Sequence, residues 1–305
     1  MNKLKVDFLN KEFKNPIITS SGCFGFGLEY KEYFDPNELG GITLKGLTLE
    51  ARDGNYGVRI GETPGGMLNC VGLENPGINY FKENILPELK KEGVETNLIA
   101  NINGKVLEEY IEIAKIVETI PEIDLVELNI SCPNVKDGGM AFGANPEIAG
   151  LVTREVRKVT TKPLIVKLSP NVTNIVEIAK IVEANGADAI SLINTLLGMK
   201  IDLKTRKPLL GNTMGGLSGP AVKPVAVRMV YQVYKAVNIP IIGMGGISSV
   251  EDALEFIMAG AKLISIGTGI FPNPLLPLEI KYGLEKYCEE NGLENISELV
   301  GAAHR

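Results

Sequence analysis

One cysteine of this chain follows directly on a predicted buried strand. Residues 125–130 read Leu-Val-Glu-Leu-Asn-Ile, which has the length and branching of such a strand, and Pro133 ends any regular pairing beyond it. Cys132 therefore comes after the carboxyl end of a strand, where α/β proteins carry out their chemistry. The thiol is a candidate acid–base group; the alternative interpretation is a small buried hydrophobic residue.

Histidine, the usual acid–base side chain near neutral pH, is almost missing from this sequence. The single histidine, His304, is the next-to-last residue, in a tail that we expect to be mobile. Proton transfer must then be done without histidine. A thiol flanked by the amides of Asn129 and Asn134 is the best remaining candidate.

The predicted strands end in a serine, amides and lysines, and none ends in a carboxylate. These residues are Ser21, Lys45, Asn101, Asn129, Lys167 and Asn194. Metal-assisted hydrolases, glycosidases and enolase-like enzymes need carboxylates or histidines there, so no metal site is predicted. Amides offer paired donors and acceptors, which suit a planar ligand such as a flavin ring or a pyrimidine. Each asparagine taken alone could also be a turn residue.

Glycines follow the seventh and eighth predicted strands. Gly245-Gly246 comes after one and Gly267-Thr268 after the other. Barrels use these two positions to bind phosphate, because glycine lets backbone N–H groups approach the anion. A phosphorylated cofactor is therefore expected here, although glycine could also serve tight turns.

Two lysines complete the candidate site. A lysine in an apolar strand, such as Lys167 or Lys45, needs an anionic partner or a lowered pKa. One could stabilise a reduced flavin and the other a substrate carboxylate; either could instead form a Schiff base, as in aldolases. Glu127 shares strand parity with Asn129 and is a plausible ion-pair partner for one of them.

The elements alternate between strand and helix along the whole chain. After a hairpin within residues 4–13, strands are predicted at 16–21, 41–45, 97–102, 125–130, 163–168, 189–194, 240–244 and 263–267. Helices are predicted at 80–91, 106–119, 146–160, 174–184, 222–236 and 250–259. This pattern predicts an α/β fold, a single-domain (β/α)8 barrel over residues 1–305, with a doubly wound sheet as the alternative. Long βα loops at 46–79, 131–145 and 195–221 would cover its carboxyl-terminal face.

The composition of the chain limits the partners and the cellular location that we expect for it. The net charge of −6 disfavours nucleic-acid or membrane-surface binding, and no stretch is long and apolar enough to span a membrane. The four cysteines show no CxxC or metal-finger spacing, so any iron–sulphur cluster must belong to another protein. A cytoplasmic location with reduced thiols is expected.

The motifs of this chain resemble the class 1 dihydroorotate dehydrogenases. The segment Asn129-Ile130-Ser131-Cys132-Pro133-Asn134-Val135-Lys136 is similar to the catalytic loop of that family. Further matching blocks run along nearly the whole chain, at residues 21–27, 62–69, 166–171, 194–199 and 215–220. The loops after Asn69, Cys132 and Asn194 are most similar to class 1B, whose catalytic subunit pairs with an iron–sulphur flavoprotein.

The resemblance implies a set of binding residues. FMN would be held by Ser21, Lys45, Gly46, Asn101, Asn129, Lys167, Ile193, Gly219, Gly245, Gly246, Gly267 and Thr268. Dihydroorotate would be held by Lys45, Asn69, Cys70, Val71, Gly72, Leu73, Asn129, Asn194 and Thr195.

The resemblance also implies the reaction, the oxidation of dihydroorotate to orotate in pyrimidine biosynthesis. Cys132 would remove a proton from C5 while hydride passes from C6 to flavin N5. Lys45 would neutralise the substrate carboxylate, and Lys167 would stabilise the anionic reduced flavin.

The class 1B resemblance implies a heterotetramer with a subunit that carries FAD and a [2Fe-2S] cluster and passes electrons to NAD+. The alternatives are a class 1A-like homodimer using fumarate, a Schiff-base lyase on the same barrel, a tRNA-modifying flavoprotein and, last, a non-catalytic binding module. The tRNA enzyme would need a basic surface and an RNA-binding appendage, neither of which this acidic sequence shows.

Overall fold

Eight parallel strands close into a barrel in the computed structural model, which describes residues 2–131 and 143–305. The strands are Ile17–Thr19, Gly41–Thr43, Asn97–Ile102, Leu125–Asn129, Leu164–Lys167, Ala189–Leu192, Ile241–Met244 and Ala261–Ile266. They pair in chain order all the way round. The predicted (β/α)8 barrel and all eight predicted strands are thus confirmed, and the doubly wound alternative is wrong.

The helices pack outside the barrel and bury one apolar face each. They are Ile78–Tyr80, a π-helical turn Phe81–Ile85, Leu86–Lys91, Leu107–Glu118, Pro146–Arg157, Ile175–Ala184, Lys223–Tyr234, Val250–Ala259 and Leu276–Glu290. The first βα connection differs, since it holds only the short 3-10 turns Leu28–Tyr30 and Pro36–Glu38. The last helix was not predicted, although Leu276, Ile280, Leu284 and Cys288 recur at four-residue spacing and are all buried.

The predicted N-terminal hairpin is also confirmed. Val6–Phe8 pairs with Lys11–Phe13, and the rings of Phe8 and Phe13 meet edge to face at 5.8 Å. Lys11 binds Asp124, which directly precedes the fourth barrel strand. The hairpin therefore covers the amino-terminal end of the barrel and leaves the carboxyl-terminal end open.

Two of the long βα loops are joined in a second sheet over the open end. Its four antiparallel strands lie in the order Leu196–Gly198, Gly215–Ser218, Gly66–Asn69 and Ile60–Thr63. A two-stranded ladder, Ile201–Asp202 with Lys207–Pro208, extends the later loop. The sequence indicated only loops here, because these strands are short and rich in glycine, and the pairing that joins the two loops spans about 150 residues of the chain.

The tail that carries His304 is packed rather than mobile. Its ring stacks on Tyr231 with centroids 3.9 Å apart, and Nε2 lies 3.0 Å from the carbonyl oxygen of Ala259. Ala259 ends the helix that leads into the last barrel strand, so this histidine lies at the amino-terminal end of the barrel. It is far from the strand ends where the chemistry was predicted.

Candidate active site at the carboxyl-terminal face

Polar residues of three adjacent strands meet in the upper layers of the barrel. The strand register pairs Asn101 with Glu127 and Asn129 with Lys167. Glu127 has a side chain 2% exposed, and that of Lys167 is 6% exposed. Nζ of Lys167 lies 3.8 Å from Oε2 of Glu127, which identifies the ion-pair partner that the sequence left open.

A chain of hydrogen bonds runs from Glu127 to the mouth of the barrel. Asn101 donates to Glu127 over 2.5 Å, Asn103 donates to Asn101 over 2.8 Å, and Asn129 donates to Asn103 over 2.7 Å. The Ser131 hydroxyl then donates to Asn129, and the amide of Asn194 donates to Ser131. The amides at three predicted strand ends are therefore connected in one network.

The ammonium of Lys167 keeps its donors available. Across residues 2–131 and 143–305, the carboxylate of Glu127 is its one ion-pair partner, and 3.8 Å is too long for a hydrogen bond. An ammonium has three N–H donors, and leaving them unpaired in a largely buried place is costly. Lys167 therefore offers a charged donor to a ligand at the barrel mouth.

Cys23 lies in the same mouth but in an apolar setting. Burial raises the pKa of its thiol to about 11, and the nearby Lys167 charge offsets only part of this effect. The thiol is therefore protonated at neutral pH. Its position beside Lys167 makes it a neighbour of the site without the properties of a base.

The glycines after strands seven and eight form a close-packed backbone surface. A Cβ atom on Gly246 would lie 2.7 Å from the carbonyl oxygen of Gly219, and one on Gly219 would lie 2.5 Å from Cα of Gly66. Gly246 and Gly219 also have positive φ angles of 80° and 101°, which residues other than glycine rarely adopt. Only glycine allows these loops to approach one another so closely.

Strands eight and one border this surface. The hydroxyls of Ser20 and Ser265 are 2.8 Å apart, and a Cβ atom on Gly267 would lie 3.4 Å from the Ser20 hydroxyl. Thr268 begins a 3-10 turn, Thr268–Ile270, so its first N–H groups lie next to the glycine surface. Ile193 connects strands six and seven, since its N–H donates to Met244.

The second sheet brings the remaining predicted residues to this mouth. Asn69 pairs in register with Gly216, where a Cβ atom would lie 2.0 Å from the Thr195 hydroxyl oxygen. Thr195 in turn donates its backbone N–H to Asn194 over 2.7 Å. Asn69, Thr195 and Asn194 therefore form one wall, although they belong to two distant loops.

The family match covers residues 3–288 and is described as dihydroorotate dehydrogenase. A protein of Brachyspira hyodysenteriae is 62% identical over 305 residues, all of both chains. One from Desulforamulus reducens is 58% identical over 290 residues, with 95% of each chain covered, and one from Parabacteroides distasonis is 54% identical over 302 residues, with 99% and 98% covered. All three are named dihydroorotate dehydrogenase B (NAD(+)), catalytic subunit.

The chain belongs to the dihydroorotate dehydrogenase family. The resemblance to class 1B catalytic subunits is confirmed by these relatives. The Schiff-base lyase, the tRNA-modifying enzyme and the binding module lose their support, because membership of this family makes the chain an oxidoreductase.

The barrel mouth fits a flavin phosphate cofactor. The glycines after strands seven and eight place no side chain of their own over the backbone N–H groups there, as a phosphate requires, and Lys167 supplies a positive charge in the same mouth. Gly46 lies against the row of amides, since a Cβ atom there would lie 2.7 Å from the Asn103 amide nitrogen. Its neighbour Lys45 is half-buried and fixed by a backbone bond to Gly25.

The stretch from Cys70 to Leu73 lies against the loop around Asn55. The side-chain amide of Asn55 donates to the carbonyl oxygen of Cys70 over 2.9 Å. The backbone N–H of Asn55 donates to the carbonyl oxygen of Val71. Leu73 reaches back to Gly46, where its Cδ2 would lie 3.5 Å from an added Cβ atom. The predicted substrate residues therefore continue from Asn69 to the Lys45–Gly46 corner.

Two predicted residues have less structural support. Cys132 lies outside the described residues, and only its neighbour Ser131 is placed, at the barrel mouth between Asn129 and Asn194. Ser21 is half-buried at the turn after strand one, but the buried Ser20 is the serine whose hydroxyl lies beside Gly267.

Several residues of the site were not predicted. They are Asn103, Ser131, Ser191, Ser20 and Ser265. The position of Asn103 could have indicated its role, because it follows Asn101 by two residues, and residues two apart along a strand point to the same face. Nothing in the sequence indicated the serines, because a serine in a predicted strand does not show whether its hydroxyl bonds a residue of the site.

Within the described ranges, no cluster of three or more potential metal-ligating side chains is found. The helices of the same residues include none that is long and apolar enough to cross a membrane.

Proposed function

We propose that this chain oxidises dihydroorotate to orotate at the barrel mouth with FMN as its resident cofactor. The observation that carries the proposal is the nearly buried Lys167, whose ammonium makes no hydrogen bond within residues 2–131 and 143–305, in the same mouth as the glycine surface and a connected row of amides. The FMN ligands proposed are those predicted from the sequence, with Ser20 and Asn103 supporting them. Bound FMN supplies the acceptor for the hydride that leaves C6.

The chain's own residues would bind and orient the two ligands. Lys167 would donate to the electron-rich edge of the cofactor ring, and the glycine surface would hold its phosphate. Asn69, Asn129, Asn194 and Thr195 would bind the amide edges of the pyrimidine, for which paired donors and acceptors are suited. Lys45 would neutralise the substrate carboxylate.

Cys132 is the proposed base for the proton at C5. A free thiol has a pKa of about 8.5, so a fraction is thiolate near neutral pH. Cys23 is also at the mouth, but burial raises the pKa of its thiol to about 11. Of these two thiols, only that of Cys132 is therefore suited to proton abstraction at neutral pH.

The electrons would leave through a partner. The relatives named above are catalytic subunits of NAD(+) enzymes, and this chain carries no nucleotide-binding fingerprint of the GxGxxG type after its first strand. The proposed assembly is a heterotetramer with a subunit that holds FAD and a [2Fe-2S] cluster. A cytoplasmic location and a single domain over residues 1–305 remain predictions.

The decisive experiment is a visible spectrum of the purified chain before and after anaerobic addition of dihydroorotate. We expect a flavin spectrum that bleaches on addition, and acid-released flavin that is FMN at about one per chain. A colourless protein, or a bound flavin that dihydroorotate does not bleach, would overturn the proposed function.

The acceptor is tested on the same preparation. Alone, the chain should reduce NAD+ poorly, and addition of the partner subunit should restore the activity. Efficient NAD+ reduction by the isolated chain would refute the division between subunits, and rapid turnover with fumarate would favour the class 1A-like alternative.

A further inference from the structure

Glu127 lies two residues below Asn129 on the fourth strand, in register with Asn101 of the third. Its Oε1 accepts from the Ser191 hydroxyl over 2.7 Å, and its Oε2 accepts from Asn101 over 2.5 Å and lies 3.8 Å from Lys167. These partners come from the third, fifth and sixth strands. A carboxylate that is buried and bonded in this way fixes the neighbours around it.

The hydrogen-bond chain that ends at Glu127 has a direction. From Asn194 through Ser131, Asn129, Asn103 and Asn101, each member donates toward Glu127 and accepts from the member before it. An ionised carboxylate can only accept hydrogen bonds, whereas an amide can turn either way. An acceptor at the inner end therefore sets which end of each asparagine amide faces the ligands.

Glu127 also balances a charge. A lysine buried alone in an apolar barrel would be strongly unfavourable, and the carboxylate 3.8 Å away offsets this cost without occupying a lysine donor. The distance matters, because a direct hydrogen bond would turn the ammonium toward Glu127 and away from the mouth.

From this geometry we infer that Glu127 is a positioning residue with two effects: it balances the charge of Lys167 toward the cofactor, and it sets the orientation of the amides that bind the pyrimidine. This inference rests on the proposed function and deepens it. Glu127 itself touches neither ligand and acts through Lys167 and Asn101.

The test compares three variants with the wild-type chain, each loaded with FMN. Glu127→Gln removes the negative charge but retains an oxygen acceptor for Asn101. Asn103→Ala interrupts the amide chain and leaves Glu127 with Lys167. Thr153→Ala removes a buried hydroxyl that bonds Ala149 on the outer helix Pro146–Arg157, away from the barrel mouth, and is the control. The readouts are the midpoint potential of the bound flavin and the dissociation constant of orotate by calorimetry.

The expected results separate the two effects. Glu127→Gln should raise the potential, because Lys167 then acts on the flavin without an opposing charge, and it should bind orotate at least as tightly as wild type. Asn103→Ala should keep the wild-type potential and bind orotate about tenfold more weakly, which is the usual worth of one oriented hydrogen bond. Thr153→Ala should leave the potential at the wild-type value and change the dissociation constant of orotate by no more than about threefold.

Other outcomes overturn the inference. An unchanged potential in Glu127→Gln would exclude the charge effect, and an unchanged orotate affinity in Asn103→Ala would exclude the orienting effect. If Glu127→Gln does not retain FMN, Glu127→Asp, which retains the charge, should show the wild-type potential, and a raised potential there would contradict the inference. Failure of the wild-type chain to bind FMN and orotate would instead mean that the proposed function is wrong.

Discussion

The hydroxyl of Tyr110 donates to the carbonyl oxygen of Asn129 over 2.8 Å. Tyr110 is fully buried on the helix Leu107–Glu118, and Asn129 ends the fourth barrel strand just before the segment that contains Cys132. A residue of the outer helical layer therefore fixes the backbone at the end of the strand that leads to the proposed base, Cys132.

Replacement of Tyr110 by phenylalanine should lower the stability of the fold. Tyr110→Phe removes the donor from a buried carbonyl, so we expect a loss of about 1–2 kcal/mol in the free energy of unfolding. Urea denaturation measures it, and Tyr282→Phe, at a tyrosine 54% exposed, is the control. Equal stability of the two variants would show that the bond contributes nothing.

Lys167 should control the potential of the bound flavin. Lys167→Ala removes a positive charge from the mouth, so the midpoint potential should fall and flavin reduction by dihydroorotate should slow by about 10²-fold or more. This shift is opposite in sign to the one expected for Glu127→Gln. Stopped-flow reduction and a potentiometric titration measure the two effects, with the exposed Lys180→Ala as the control. Wild-type values of both would make Lys167 a structural residue.

Cys132 and Cys23 should behave differently when changed. Cys132→Ala should retain FMN and orotate but reduce its flavin about 10²–10⁴-fold more slowly, the usual worth of a positioned base. Cys132→Ser should act only at higher pH, since a hydroxyl is far harder to ionise than a thiol.

Cys23→Ala is the control for the loss of a thiol at the same mouth. Because burial raises the pKa of Cys23 to about 11, this thiol stays protonated at neutral pH, and its removal should leave the rise of the reduction rate with pH unchanged. A pH profile displaced in Cys23→Ala and intact in Cys132→Ala would reverse the assignment.

Glu118 should stabilise the fold in a pH-dependent way. Burial raises the pKa of its carboxyl, but hydrogen bonds from Thr160, Thr161 and the backbone of Lys162 outweigh this and lower it to about 2. A group whose pKa is depressed on folding contributes stability above its unfolded pKa of about 4.3, and this contribution is lost as the pH falls toward 2.

Glu118→Gln should therefore cost about 1–2 kcal/mol at pH 7, allowing for solvent screening, and progressively less between pH 4 and pH 2. Denaturation at a series of pH values measures the difference, with the exposed Glu112→Gln as the control. Glu118 lies near the amino-terminal end of strand five, so dihydroorotate oxidation should be unaffected. A difference that does not depend on pH would contradict the prediction.

The sequence by itself determined the barrel and most of the residues at its mouth. Eight apolar runs alternating with amphipathic helices can bury their surfaces only in a few ways, and strand ends follow directly from where each run stops. Lys167, Asn129 and Asn101 could therefore be placed at one face from local pattern alone, as could the glycines after strands seven and eight. The family resemblance supplied the chemistry.

Only the tertiary structure decided which of these groups touch. Strand parity left the partner of Glu127 open, and the barrel register brought Lys167 to it. The second sheet joined Asn69 to Gly216, because pairing between strands so distant in the chain leaves no local signal. Burial raises the pKa of the Cys23 thiol, so that it cannot serve as a base at neutral pH, and His304 of the tail packs against Tyr231. Each outcome depends on neighbours that are remote in sequence, and these are fixed only when the barrel closes.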